Sequence, residues 1–135
     1  MRFEPSADIE QIKAWALSDP YHFHQGQAQW WLGEGSLLAF CLTDTKGPLT
    51  YVRLDAEGEY VRIHTQFAPT SVVSKRRLVA GMIDAVETLI VYYRELDKKG
   101  LIFNSVNPSL VAFMSKLGFK SIGQSDYRLD FEETK

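Results

Sequence analysis

Three short segments with strand-like patterns, joined by compact turns, constrain the fold of this chain more than any other feature. The first is a continuous apolar run over 37–42, and the second alternates between apolar and polar residues over 50–54. The third, over 60–67, has the cleanest alternation in the chain. Side chains of a strand alternate between the two faces of a sheet, and short turns join antiparallel neighbours. The sequence therefore predicts a three-stranded antiparallel meander.

Helical patterns lie on either side of this meander. Before it, an edge strand over 1–5 is followed by an amphipathic helix that ends at Pro20. After it, a helical stripe runs over 69–97, and Gly100 is expected to close that helix. Residues 21–35 have no clean period, so we expect a loop or a strand fragment there.

The last third of the chain adds a strand, a helix and a hairpin. Residues 101–106 form a short buried strand, and Asn107-Pro108 begins a helix, because asparagine is a good cap and proline is favoured in the first turn. Residues 119–122 and 127–131 form the hairpin. The complete order is strand, helix, three strands, helix, strand, helix and two strands. It predicts an α/β chain built around a mixed sheet.

Length, composition and charge limit the classes of protein that remain. A length of 135 residues predicts a single domain over 1–135. With 45% hydrophobic and 24% charged residues, the chain is neither disordered nor collagen-like. Fifteen basic and seventeen acidic side chains give a net charge of -2, which argues against a general polyanion binder. No apolar run is long enough to span a bilayer or to form a signal peptide, so we expect a cytoplasmic protein.

The segment NSVNPSLVAFMSKLGFKSIG, residues 104–123, carries a family resemblance. Its strand, asparagine, short helix and Leu-Gly-Phe tripeptide, taken with the order of elements, resemble the GNAT superfamily of acyl-CoA N-acyltransferases. The resemblance implies a central, mostly antiparallel sheet of about six to seven strands with helices on both faces. It also implies acetyl-CoA or another acyl-CoA as the cofactor. The acceptor would be an amine of a small molecule, a peptide or a protein.

The resemblance also implies where the pantetheine arm of the cofactor lies. In the family the arm runs along the end of the fourth strand, which corresponds here to Thr65, Gln66 and Phe67. Asn107 occupies the matching place after the fifth strand and would hydrogen-bond the same arm. A plain N-cap role is the alternative for Asn107, and the two roles are compatible.

The segment that would hold the pyrophosphate departs from the family pattern. Family members carry a glycine-rich turn there, because a phosphate must approach the backbone closely. Aligned on Pro69, the glycine positions fall at Val73, Lys75 and Arg77, and none of them is glycine. The candidate contacts are therefore Val73, Ser74, Lys75, Arg76 and Arg77, whose basic members would add charge-assisted contacts. An ordinary solvated helix face is the alternative.

Acylation of an amine requires a group that removes the amine proton. The family often places a carboxylate near the start of the fourth strand, where Glu59 lies in this chain; an exposed turn residue is the alternative. His64, on the polar face of the same strand, has an unperturbed pKa of about 6.5, which suits proton transfer. A structural histidine is the alternative there. Met114 replaces the tyrosine with which the family protonates the departing thiolate, and it has no proton to give.

Other residues with chemical potential indicate no further activity. His22 and His24 have no third ligand at a metal-binding spacing, so we expect no metal site. Trp30-Trp31 is expected to cover the sheet or to line an acceptor cleft rather than to stack on bases. Cys41 is the single cysteine, cannot form an internal disulfide, and is expected to be an inert packed thiol.

Two functions stay open at this point. The first is an N-acyltransferase that positions its reactants and polarises the carbonyl through backbone N–H groups. The second is a GNAT-fold protein without catalysis that binds CoA or another protein, which the missing glycines and Met114 favour. A nucleic-acid binder using the basic run 75–77 is disfavoured by the charge balance. A homodimer also stays open.

Overall fold

In the computed structural model of the chain, residues 1–19 and 28–133 are described. The elements within this part are β1 (Arg2–Pro5), α1 (Ile9–Ser18), a 3₁₀ helix (Ala28–Leu32), β2 (Leu38–Asp44), β3 (Gly47–Glu57), β4 (Tyr60–Phe67), α2 (Lys75–Glu95), β5 (Gly100–Asn104), α3 (Pro108–Lys116), β6 (Lys120–Gly123), β7 (Asp126–Asp130) and a final 3₁₀ turn (Phe131–Glu133). None of these helices is both long and apolar enough to cross a membrane.

The strands form one seven-stranded sheet in the order β1-β2-β3-β4-β5-β7-β6. Every neighbouring pair is antiparallel except β4 and β5, which are parallel. A parallel pair needs a long crossover, and α2 supplies it between these two strands. The predicted meander, the order of elements and the mostly antiparallel sheet are therefore confirmed.

Helices cover both faces of the sheet, as predicted. On one face, Trp15 of α1 packs against Tyr51 of β3 with ring centroids 5.2 Å apart. The Tyr51 hydroxyl also donates a 2.6 Å hydrogen bond to Gln11 Oε1. On the other face, Gly81 of α2 lies so close to Leu42 and Leu49 that a Cβ there would stand 2.7 Å from a Leu49 methyl carbon. The absence of a side chain at Gly81 lets the long helix lie directly on the sheet.

The parallel strands β4 and β5 separate halfway along their length. Their register runs from Tyr60 opposite Gly100 to Ile63 opposite Phe103 and ends there, whereas β4 continues beside β3 to Phe67. The amide of the next residue, Ala68, donates to the carbonyl oxygen of Leu49 at 2.9 Å, so its main chain points toward β3. Because alternate residues of a strand point to opposite neighbours, the main chains of Thr65 and Phe67 point into the opening.

The start of α2 differs from the prediction. The amides of Val72 and Val73 both donate to the carbonyl oxygen of Pro69, at 2.9 and 3.0 Å, which closes a single turn. That turn does not continue, because Ser74 takes the extended backbone conformation of an N-cap with ψ 148°. Its side chain accepts from the amide of Arg77, and the helix begins at Lys75. Pro69 therefore opens a turn before the helix rather than the helix itself.

Two other boundaries also differ. Gly100 does not close α2 but begins β5, where a Cβ would collide with the carbonyl oxygen of Leu129. The helix instead ends at Glu95, and Asp97 takes the left-handed conformation with φ 63°. The part of 21–35 that the structure describes contains the 3₁₀ helix, which buries Ala28 and Trp31 at the three-residue period of that helix type.

Candidate functional site

Two cavities meet where β4 and β5 separate. The outer cavity, of about 520 Å³, lies between the end of α1, the residues after β4, the first turn of α2 and the start of α3. The inner cavity, of about 280 Å³, lies in the opening itself, and its walls include Trp31 and Phe103. Met82 of α2 and Leu110 of α3 line both. The two cavities therefore adjoin, and their combined shape suits one elongated ligand.

The end of β4 contributes main-chain groups to both cavities. Thr65 lines the inner cavity and Phe67 the outer one, and β5 offers no partner to either main chain. Gln66, also expected to contact the pantetheine arm, lines neither cavity. Its side chain is buried and donates to Asp19 Oδ2 at 3.0 Å, and its carbonyl oxygen accepts from Thr50 Oγ1 at 3.1 Å.

The first turn of α2 forms the polar end of the outer cavity. Lys75 is exposed and lines the cavity. Within the described residues, the amides of Lys75 and Arg76 have no hydrogen-bond acceptor. A helix N-terminus carries a partial positive charge, so these amides and the ammonium group together suit an anion.

Val73 and Ser74 have structural roles in the same segment. Val73 is only 3% exposed and belongs to the hydrophobic core, so its side chain is turned away from the surface at a position where the family has glycine. Ser74 uses its hydroxyl oxygen to cap α2. Neither side chain is free to meet a phosphate, so Val73 and Ser74 could contact one only through their main-chain groups.

Arg77, which was expected to add charge-assisted contacts to a phosphate, is held by Asp44. Its Nε and Nη2 donate to the two carboxylate oxygens of Asp44 at 2.8 and 2.7 Å. The Arg77 guanidinium lowers the pKa of the Asp44 carboxyl well below its ordinary value of 3.8. Arg77 therefore joins α2 to the end of β2, and the basic side chains left for an anion are Lys75 and Arg76.

Replacing Arg77 by Gln should lower the stability of the fold at neutral pH. A carboxyl group whose pKa is lower in the folded protein than in the unfolded chain stabilises the fold. Its contribution is complete above the unfolded-state pKa and is lost as the pH falls from there through the folded-state pKa. In Arg77→Gln the pKa of Asp44 returns toward 3.8. The midpoint temperature of thermal unfolding should therefore lie below that of wild type at pH 7, and the difference should be much smaller near pH 2. Arg76→Gln is the matched control, since Arg76 is exposed and has no ion pair in the described part. Equal losses in both variants would contradict this role.

Asn107 combines two properties at the start of α3. Its Oδ1 accepts from the amides of Ser109 and Leu110 at 3.0 and 3.5 Å, which confirms the N-cap. The residue also lines the outer cavity, and its Nδ2 has no acceptor among the described residues. The capping bonds fix the side chain and leave an amide donor for a ligand.

The inner cavity spans the sheet from one face to the other. His64 and Thr65 are consecutive in β4, so their side chains point to opposite faces, and both line this cavity. Met114 lies in the wall on the side of α2 and α3. A ligand in the outer cavity is thus connected through the sheet to His64, and Met114 lies beside the same passage.

His64 is partly buried, with 31% of its side chain exposed. Its Nε2 lies 3.3 Å from Asp55 Oδ2, and its ring packs edge-on against Trp30 with centroids 4.8 Å apart. Burial lowers the pKa of His64 below its ordinary 6.5, an effect that the charge of Asp55 opposes. The imidazole is therefore neutral at pH 7 and can accept a proton.

Sequence reasoning missed Arg53 and Asp55. Arg53 is 7% exposed, and its Nη1 donates to the carbonyl oxygen of Trp30 at 2.7 Å. Its Nε and Nη2 donate to the two oxygens of Asp55 at 3.0 and 3.2 Å. The Arg53 guanidinium carbon also lies 4.4 Å from the centroid of the Trp30 ring. The signal that could have found Arg53 is that it is the one charged residue of the alternating segment over 50–54.

Glu59, the carboxylate expected to act as a base, lines neither cavity. Its side chain is 67% exposed and pairs with Lys99 Nζ at 2.9 Å. It precedes β4 at the end opposite to the opening. The predicted alternative, an exposed turn residue, describes it.

The remaining candidates add no chemistry to the site. His22 and His24 lie outside the described residues. Within the described part, no group of three His, Cys, Asp or Glu side chains could hold a metal ion. Cys41 is buried, and burial raises the pKa of its thiol.

Comparison with known proteins identifies the fold. No protein-family model and no curated protein matches the chain. Among solved structures, an acetyltransferase of the GNAT family from Staphylococcus aureus superposes with a TM-score of 0.73 at 13% identity, over 96% of this chain and 98% of that one. An aminoglycoside N(6')acetyltransferase from Legionella pneumophila gives 0.67 at 18% identity, over 98% and 92%.

A third similar structure is that of an enzyme named for a protein substrate. The ribosomal-protein-S18-alanine N-acetyltransferase from Escherichia coli superposes with a TM-score of 0.59 at 16% identity, over 96% of this chain and 93% of that one. These similarities cover nearly the whole of each chain, and the predicted resemblance is confirmed at the level of the fold. The chain therefore has the fold of the GNAT acetyltransferases.

Proposed function

We propose that this chain is a single-domain N-acyltransferase that takes an acyl group from acetyl-CoA or another acyl-CoA and transfers it to an amine. The observation that carries the proposal is the opening between β4 and β5. There the main chains of Thr65 and Phe67, which β5 does not pair, adjoin a cavity that leads to the N-terminus of α2. The structural similarity to N-acetyltransferases supports the same assignment.

The residues present fit an acyl-CoA in three places. The ammonium group of Lys75 and the main-chain amides of Lys75 and Arg76 would hold phosphate groups at the start of α2. Thr65 and Phe67 would pair with the amide groups of the pantetheine arm through their main chains. The Nδ2 of Asn107 would donate to a carbonyl oxygen of the same arm.

The chemistry needs little more than positioning and one proton acceptor. Bound acyl-CoA supplies an activated thioester, from which the acyl group passes to the amine nitrogen as the carbon–sulfur bond breaks. His64 accepts the proton that the amine loses, directly or through a water. Main-chain N–H groups at the opening polarise the carbonyl. Because Met114 has no proton to give, water supplies the proton that the thiol takes up.

Titration calorimetry with acetyl-CoA tests the proposal, with CoA and ATP for comparison. We expect a Kd near micromolar, about -8 kcal/mol, and much weaker binding of ATP. The double variant Lys75→Glu with Arg76→Glu should weaken the binding of acetyl-CoA by roughly tenfold or more, since it reverses two exposed positive charges in the first turn of α2, one of which lines the outer cavity.

The matched control is Lys46→Glu with Lys116→Glu, which makes the same change in net charge on exposed side chains that line neither cavity. Equal weakening in both double variants would assign the effect to overall charge. Absence of any heat at millimolar acetyl-CoA would overturn the proposal.

A second candidate is a GNAT-fold protein that binds an acyl-CoA without transferring the acyl group. It is favoured by Met114 in the wall of the inner cavity and by the absence of glycine at positions 73, 75 and 77. The two candidates separate in an assay of released thiol with amines of the classes named for two of the similar structures: an aminoglycoside and a peptide that begins with alanine. Binding of acetyl-CoA with no thiol release from any acceptor would favour the second candidate.

A further inference from the structure

We infer that Asp55 positions His64 and that Arg53 holds Asp55, so that the three side chains act as one proton-accepting unit at the inner cavity. This inference rests on the proposed function, because the proposed acyl transfer is the reaction for which these side chains would accept a proton. His64 would be the residue that meets the substrate. Asp55 and Arg53 would be positioning residues that act through it.

The register of β3 and β4 brings the unit together. Arg53 lies directly opposite His64, and Asp55 lies diagonally across from it, two residues further along β3. Side chains in direct and diagonal positions on one face are within reach of each other. The distance of 3.3 Å between His64 Nε2 and Asp55 Oδ2 agrees with that placement.

Arg53 leaves Asp55 little freedom to move. Two hydrogen bonds, from Nε and Nη2, hold both carboxylate oxygens in a bidentate geometry. The third bond, from Nη1 to the carbonyl oxygen of Trp30, anchors the guanidinium to the 3₁₀ helix. An arginine that is 7% exposed is expected to have such partners, since an unpaired buried charge is strongly unfavourable.

This arrangement would select one form of the imidazole. A carboxylate beside Nε2 favours the tautomer with its proton on Nε2, which leaves the lone pair of Nδ1 as the acceptor. Once Nδ1 has taken a proton, the same carboxylate stabilises the imidazolium, as a buried acid does for a histidine base in other enzymes. Asp55 would thus contribute both orientation and charge.

Other charged groups around His64 act in smaller or opposite ways. Arg53 and Arg62 disfavour the imidazolium, whereas Glu57 favours it less strongly than Asp55 does. Arg62 is itself held by Glu57 and Asp126, at 2.8 and 2.9 Å. The 3₁₀ helix contributes the Trp30 ring at 4.8 Å. Asp55 is therefore the group whose removal should change His64 most.

The test compares Asp55→Asn with Glu57→Gln, a nearby carboxylate variant whose parent residue pairs with Arg62 instead of His64. We expect Asp55→Asn to lower kcat/KM by roughly ten- to a hundredfold, less than the roughly 10²–10⁴-fold that a general base contributes. The acidic limb of its pH profile should move to lower pH, because the charge of Asp55 raises the pKa of His64. Glu57→Gln should change both quantities much less.

Nuclear magnetic resonance gives a readout that needs no turnover. The ring signals of His64, assigned by their loss in His64→Gln, should titrate at lower pH in Asp55→Asn than in wild type. Long-range nitrogen–proton correlations of the unmodified protein should show the proton of neutral His64 on Nε2. This measurement also remains informative if Asp55→Asn folds poorly.

Two results would overturn the inference: a His64 proton located on Nδ1 in wild type, or a His64 titration that moves no further in Asp55→Asn than in Glu57→Gln. A wild-type protein that binds acetyl-CoA and transfers nothing would instead count against the proposed function. The two failures are therefore distinguishable, because the resonance measurements do not depend on acyl transfer.

Discussion

Replacing His64 by Gln is expected to lower kcat/KM for acyl transfer by roughly 10²–10⁴-fold, the range that a positioned general base contributes. His64 lines the inner cavity where it spans the sheet, and the proposed function places the acyl transfer there. Of the two side chains expected to act as a base, Glu59 and His64, only His64 lines a cavity. Glutamine retains a polar side chain but cannot take up a proton at neutral pH. The loss should therefore fall on the chemical step.

The binding of acetyl-CoA supplies the internal control for His64→Gln. The outer cavity, which would hold most of the cofactor, does not include His64, so the Kd should stay within about twofold of wild type. A loss of binding equal to the loss of activity would place His64 among the cofactor contacts instead. Unchanged kcat/KM would remove it from the mechanism.

The pH dependence gives a second check with a defined sign. Because burial lowers the pKa of His64, the acidic limb of kcat/KM should have its midpoint below 6.5. The folded protein also binds this proton less readily than the unfolded chain, so stability should decline as the pH falls from 6.5 through the lower folded pKa. His64→Gln should remove both effects. An acidic limb that persists in this variant would belong to another group.

The fold was largely predictable because periodicity is a local property. Alternation over 60–67 and the caps at Asn107 each specify an element without knowledge of the rest of the chain. The start of α2 was not predictable in the same way. Pro69 suits both the first turn of a helix and an isolated turn, and the extended backbone of Ser74 decides between them.

The candidate site was less predictable because it depends on register. His64 could be identified from the sequence as a polar residue on a regular strand, but its partners lie about ten residues earlier in the chain, on β3. A slip of one residue between the strands would turn Arg53 to the opposite face, and the register depends on the two-residue loop that joins Glu57 to Tyr60, whose exact position the alternating pattern alone does not give. Arg77 shows the converse case: its charge was evident, whereas its pairing with Asp44 depends on where β2 ends.

The backbone contacts of the site follow from topology rather than from side chains. Thr65 and Phe67 are placed at the opening because β5 leaves β4 after Ile63, and almost any residue could present the same main-chain groups. Val73 precedes α2, and Lys75 and Arg77 lie within its first turn. The absence of glycine at these three positions therefore does not change the main-chain groups that Thr65 and Phe67 present.

Leu110→Trp should reduce the affinity for acetyl-CoA by roughly a hundredfold, about 2.8 kcal/mol. Leu110 lines both cavities at the point where they adjoin. An indole there would fill the passage that an elongated ligand must occupy. Because the side chain extends into open space rather than into packed core, the cost of overpacking should stay at the low end of about 1–3 kcal/mol.

Ala112→Trp is the matched control for Leu110→Trp, because it adds the same indole on the same helix at an exposed position that lines neither cavity. It should leave the Kd for acetyl-CoA unchanged, and Leu110→Met, which conserves volume, should do nearly the same. Calorimetry with thermal unfolding of all three variants separates blocked binding from lost structure. If Leu110→Trp is folded and binds acetyl-CoA as wild type does, the ligand does not pass between the two cavities. In that case His64 would have no connection to an acyl group held in the outer cavity, and the acyl-transfer assignment would lose its structural basis.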